Sequence, residues 1–242
     1  MFSSVLNHRV PAHGASTPVR MTSLWPKWLA VLAAFLMLFS LPAILEVAPA
    51  LTQPRLAQME SLALSFVPNV GQTDSAAYFE VRDMGGTTFF AAGETVLILP
   101  TSVRETSVVH VRFEGSNPAA NVVGVDRLPG ISNYFIGSDS ARWRTNIPTY
   151  AGIVYEQLYP GIDLRYDGTK GRLKSSFVVS PGADPSLILW RHKGATGVQV
   201  DPTTGNLMVD LGNSTLVEET PIAWQTKGGR KVMVALTWLS AQ

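Results

Sequence analysis

Short apolar runs separated by clusters of glycine, proline, asparagine and aspartate recur along most of this chain, and that punctuation constrains the fold more than any other feature. The clearest instance is Tyr150–Gly168, YAGIVYEQLYPGIDLRYDG, in which two strand-like runs meet at Tyr159-Pro160-Gly161-Ile162. Proline pre-sets φ for the second position of a tight turn and glycine accepts the positive φ of the third, so the chain must reverse there. Gly85-Gly86 between Tyr78–Met84 and Thr87–Ala91 predicts a second hairpin, because paired glycines accept either primed turn. Thr106–Phe113 alternates strictly: Val109, Val111 and Phe113 share one face, and His110 and Arg112 the other, as in a strand with one side buried.

The same reading predicts strands at Thr95–Leu99, Asn121–Val125, Ser132–Ile136, Leu187–Arg191, Val198–Val200, Leu207–Leu211, Leu216–Glu219 and Ile222–Gln225. It predicts turns at Asn117-Pro118 and Leu128-Pro129-Gly130. Leu173, Ser175, Phe177 and Val179 make a weaker alternating strand, and a last one places Val232, Val234, Leu236 and Trp238 on one face. About a dozen short strands at spacings of roughly 8–12 residues, with no convincing helix among them, predict an all-β fold, an antiparallel β-sandwich-like domain.

The chain begins differently. Trp28–Leu45, WLAVLAAFLMLFSLPAIL, is uncharged and nearly all apolar, a predicted N-terminal helix preceded by Arg9, Arg20 and Lys27 without an acid. Residues 1–50 therefore read as a signal peptide or a signal anchor, 51–65 as a spacer and 66–242 as the β domain. A span needs about 20 apolar residues. Pro42 shortens the uninterrupted run, and Ala48-Pro49-Ala50 offers a small-x-small cleavage pattern, which favours cleavage after Ala50. A start at Met21 instead of Met1 gives a leader of ordinary length. Both readings keep the positive flank inside and deliver the rest outside the cytoplasm, secreted or at the cell surface, with the 28–45 segment as the sole membrane contact if it is uncleaved.

Composition narrows the chemistry. With no cysteine there are no disulfides, thiolate nucleophiles, cysteine-ligated metals or lipid-modified cysteine anchors. Removing Arg9, Arg20, Lys27 and Glu46 from 19 basic and 18 acidic residues leaves 16 and 17, a balance that gives nucleic acid no electrostatic purchase. His110 and His192 are the histidines beyond the leader, far apart and without a Gly-x-Ser-x-Gly elbow, so neither a triad nor a metal set is legible. Asp126, Glu156, Asp163 and Asp167 could pair as glycosidase acids, but turn-capping and solvated strand faces account for them more simply. No catalytic residue, metal ligand or cofactor is assigned. The aromatic cluster supplies the ligand-binding candidates, Trp143, Tyr150 and Tyr166, for a surface glycan or a protein partner.

Five segments together resemble a known family. They are Pro68–Asp74 (PNVGQTD), Gly124–Gly137 (GVDRLPGISNYFIG), Trp143-Arg144-Thr145 with Pro148-Thr149-Tyr150, Tyr159–Tyr166 (YPGIDLRY) and Phe177–Pro185 (FVVSPGADP). The family is the β-rich domain of unknown function that stands before SBBP-type β-propeller repeats in bacterial cell-surface proteins. The resemblance implies an exported bacterial domain with a non-enzymatic structural or interaction role; a carbohydrate-binding module or carbohydrate-active enzyme is the alternative. Where such domains usually read Leu-Glu-Tyr-Asp-Phe, this chain has Leu173-Lys174-Ser175-Ser176-Phe177, and the family's closing strands and repeats are not reached by Gln242. The resemblance therefore implies a truncated chain, a partial reading frame or a stand-alone remnant.

Overall fold

The computed structural model describes residues 2–9, 63–83, 85–101, 105–236 and 238, with the backbone alone described for 2–9. The expected apolar helix, the cleavage site and most of the spacer lie outside the described residues. In chain order the strands are β1 (Phe2–Arg9), β2 (Val67–Pro68), β3 (Ala77–Asp83), β4 (Gly86–Ala91), β5 (Glu94–Pro100) and β6 (Thr106–Phe113). Two long ones follow, β7 (Asn121–Tyr134) and β8 (Arg144–Tyr159), then β9 (Ile162–Asp167), β10 (Lys174–Val179) and β11 (Trp190–Lys193). The last are β12 (Gly197–Val200), β13 (Leu207–Asp210), β14 (Thr215–Glu218), β15 (Ile222–Lys227) and β16 (Arg230–Val234). Every paired strand is antiparallel, as the all-β reading expects, and the helical elements among the described residues are three single 3-10 turns.

The smaller sheet runs β11-β6-β5-β4-β3-β2. The larger runs β12-β13-β14-β1-β10-β9-β8-β7, with β15 also beside β1 and β16 beside β15. One short segment ties the two sheets together. Leu64 donates to Gly168 O and Phe66 exchanges both backbone bonds with Tyr150 on β8, after which Val67-Pro68 pairs with β3 in the other sheet.

Alternation explains why the sheets meet. Phe90 on β4 and Phe113 on β6 point inward from the small sheet, and Tyr155 on β8 and Tyr166 on β9 from the large one. Their rings form a continuous contact chain. Phe66 to Phe90 is 5.4 Å between centroids, Phe90 to Tyr166 4.9 Å, Tyr166 to Tyr155 6.3 Å and Tyr155 to Phe113 6.1 Å. Burying each such side chain contributes roughly 1.5–3 kcal/mol. The two phenols are hydrogen-bonded inside: Tyr155 donates to Ala91 O at 3.1 Å, and Tyr166 Oη lies 3.1 Å from Thr95 Oγ1.

The hairpins at Gly85-Gly86 and Pro160-Gly161 form as expected: Asp83 pairs with Gly86, Tyr159 pairs with Ile162, and Gly161 has φ +72°. Leu128-Pro129-Gly130 does not turn the chain. It lies within β7, where pairing to β8 slips between Arg127 and Ile131, so the two short strands expected there are one long strand with an irregularity. The proline lacks the N–H that the ladder uses, and an edge strand accommodates that without reversing. The last strand also departs from expectation: β16 ends at Val234, and Val232, Val234 and Leu236 are exposed, although Trp238 packs edge-on against Trp190 at 5.6 Å. Period-2 alternation assigns residues to faces, and only a neighbouring sheet decides whether a face is covered.

Candidate functional site

The three aromatic candidates separate completely. Tyr166 is enclosed between the sheets. Tyr150 is half-buried, edge-on to Phe79 at 6.2 Å, and its ring fills the space over Gly124, where a Cβ would stand 2.6 Å from the ring. Trp143 stays exposed and faces Phe135, edge-to-face with centroids 5.1 Å apart.

This pair sits at the β7–β8 tip, which local bonds hold in shape. Asp139 accepts from Ala141 N and caps the 3-10 turn Ser140–Arg142. Trp143 Nε1 donates to Gly137 O at 3.1 Å, across the loop. Arg144 spreads its guanidinium over Ala141 O, Trp143 O and, at 3.0 Å, Val70 O, so the tip is joined to the Pro68–Asp74 loop. That loop is itself cross-braced: Asn69 donates to Asp74 O and Ala77 O and accepts from Gly71 N, while Gln72 accepts from Val70 N and donates to Pro68 O. Polar side chains here serve the backbone, and apolar ones are left facing solvent. Phe135 is 64% exposed, Ile131 53%, Val70 50% and Trp143 39%.

Beneath the tip lies a charged group that sequence reasoning missed. Glu80 is wholly buried on β3, and Arg82 Nη2 reaches its Oε2 at 3.0 Å while the guanidinium lies 5.5 Å from the Tyr134 ring centre. Burial, and next the Glu80 carboxylate beside it, push the Tyr134 phenol up to about 12 against the opposing pull of Arg82. Strand alternation gives no signal for it, because it places Glu80 on the face of the exposed Tyr78 and Arg82, opposite the buried Ala77, Phe79 and Val81; only the tertiary structure covers the acid.

A second buried polar group lies between the sheets. His192 Nε2 and Glu218 Oε1 are 2.7 Å apart, with side chains 3% and 2% exposed. Strand alternation turns His192 inward and sends Arg191 and Lys193 to solvent, so the basic neighbours seen in sequence do not surround the imidazole. Glu218 borders a cavity of about 30 Å³ with Thr95, Tyr166, Ser175 and Trp190. That volume suits water, whereas small-molecule sites occupy about 300–1,000 Å³.

The four carboxylates considered as acids each have a local partner. Asp126 meets Arg165, Glu156 accepts from Asn121 at 2.9 Å, Asp163 accepts from Gln157 N at 2.7 Å where φ is positive, and Asp167 accepts from the Thr169 hydroxyl at 2.9 Å. Among the described residues no group of three or more acidic or histidine side chains is placed to hold a metal. The apolar tip is therefore the best-organised exposed feature.

The model of one protein family, Domain of unknown function (DUF7948), matches residues 66–240. No curated protein and no solved structure matches the chain.

Proposed function

Because the chain belongs to the DUF7948 family of domains of unknown function, whose description carries no activity, we propose a role from the geometry: a non-enzymatic interaction domain of an exported bacterial protein. The observation that carries the proposal is the braced tip, which presents Phe135 and Trp143 as a rigid pair while the loop's polar groups are consumed internally. Rigid aromatics lose little entropy on binding, and such residues anchor interfaces. The uncharged Trp28–Leu45 run behind a basic flank supports export, secreted or anchored at the cell surface. Among the described residues no helix is long and apolar enough to cross a membrane. The five resembling segments support a position ahead of SBBP-type propeller repeats in a surface protein.

A carbohydrate-binding module is the second reading, favoured by the exposed indole face at the same tip. A double variant, Phe135→Ala with Trp143→Ala, tests both. Since the two side chains are exposed, thermal stability should change little, while binding of labelled protein to bacterial envelopes, or to a glycan array for the second reading, should fall about tenfold or more. Unchanged binding by the double variant eliminates the tip as the contact. A reaction abolished by Asp163→Asn or Glu156→Gln eliminates the non-enzymatic reading.

A further inference from the structure

Strand β1 is placed where a leader cannot stay. Its first half is antiparallel to β10, with Phe2 opposite Phe177 and Val5 opposite Lys174; its second half is antiparallel to β14, from Leu6 opposite Glu218 to Arg9 opposite Thr215. On the β14 side the contact continues onto β15, where Phe2 and Ser3 pair with Ala223 and Ile222. The strand thus fills a slot whose borders have no other partner on that side among the described residues: β10 is paired beyond it by β9, β14 by β13 and β15 by β16.

Residues Phe2–Arg9 precede the apolar Trp28–Leu45 run. In an exported protein the basic flank remains on the cytoplasmic side or is removed with the leader, and a start at Met21 omits these residues altogether. Each route takes β1 away from a domain on the far side of the membrane. The backbone N–H and C=O groups of β10 along its first half, and of β15 and β14 along the other side, are then left without their strand, a state that soluble proteins avoid.

We propose that the slot bordered by β10 along its first half and by β14 along its second is a strand-acceptor site, filled in the exported protein by an extended segment of a partner polypeptide lying antiparallel to each border in turn. This inference rests on the export reading. The register specifies the occupant. It is about eight residues long and free of proline at its start, where Phe2 and Ser3 are paired on both sides. The position opposite the buried Phe177 and Ala223 takes an apolar residue. The position two residues on, opposite Ser175, takes a small or hydrogen-bonding residue. Backbone bonds supply the affinity and these alternate positions the selectivity.

The test expresses the full chain in a bacterial host and purifies the protein as the cell processes it. Intact mass and cell fractionation come first. A cytosolic protein that retains residues 2–9 overturns the export reading and the open slot together, and it is recognised before any ligand is added. On exported protein the probe is a labelled synthetic peptide, FSSVLNHR, the segment the structure seats in the slot. Saturable one-to-one binding is expected, with amide exchange slowed about tenfold or more at Lys174–Phe177 and at Thr215–Glu218, and about tenfold weaker binding of the Ser3→Pro peptide. No binding, or binding without protection of both borders, overturns the proposal while leaving export intact. A dimer in light scattering whose borders are already protected assigns the slot to a second copy and overturns the partner segment.

Discussion

Tyr166 shows how one side chain is committed by its surroundings. Its ring is packed between Phe90 and Tyr155, and its hydroxyl meets Thr95 Oγ1 at 3.1 Å in a fully buried setting. Tyr166→Phe keeps the ring but leaves the threonine hydroxyl without this partner, so unfolding free energy should fall by about 1–3 kcal/mol. Urea denaturation checks this, and the pair carries no weight if the variant matches the parent. Thr95→Val together with Tyr166→Phe removes both polar groups and should recover part of the loss. The same logic separates Trp143 from Tyr150. Both are aromatic residues near strand ends in sequence, yet Tyr150 fills the space that Gly124 leaves, whereas Trp143 has Phe135 beside it and solvent beyond.

Two glycine-containing segments that look alike in sequence behave differently as elements. Pro160-Gly161 closes β8 onto β9, and Gly161 holds φ +72° with Ala183 packed where a Cβ would go, at 2.8 Å. Pro129-Gly130 lies inside β7, and a Cβ on Gly130 would meet Thr149 Oγ1 at an ordinary 3.7 Å. Gly161→Ala is therefore expected to cost about 1–2 kcal/mol or more, from the left-handed backbone and the close contact. Gly130→Ala should stay within about 0.5 kcal/mol of the parent. Equal losses in thermal or chemical denaturation would refute the distinction. A Pro-Gly pair signals where a strand ladder is interrupted, and the partner strand decides whether the interruption becomes a reversal or a bulge.

At the scale of the molecule, the tyrosines report how tightly the two sheets are closed. Burial raises Tyr155, Tyr159 and Tyr166 above the ordinary tyrosine value, and burial with Glu80 raises Tyr134 to about 12. A folded pKa above the unfolded one means that the folded state holds its protons longer. Its contribution to stability is complete below the unfolded value of about 10 and is lost as pH rises through the folded values. Alkaline titration should therefore show the tyrosinate absorption of these groups rising together with loss of near-ultraviolet dichroism. Ionisation of all 6 tyrosines with the dichroism intact would contradict the packing described here.

The antiparallel all-β class, the hairpins at Gly85-Gly86 and Pro160-Gly161, and the inward face of Val109, Val111 and Phe113 were determined by the sequence itself, because strand period and turn chemistry are local properties. Local patterns also located the aromatic-rich region, but not which of its rings meets solvent. That choice, the pairing of His192 with Glu218 across 26 residues, the continuity of β7 through Pro129 and the slot occupied by β1 were decided by the tertiary structure alone. Each depends on which strand lies alongside and which sheet lies opposite, and those neighbours come from distant parts of the chain.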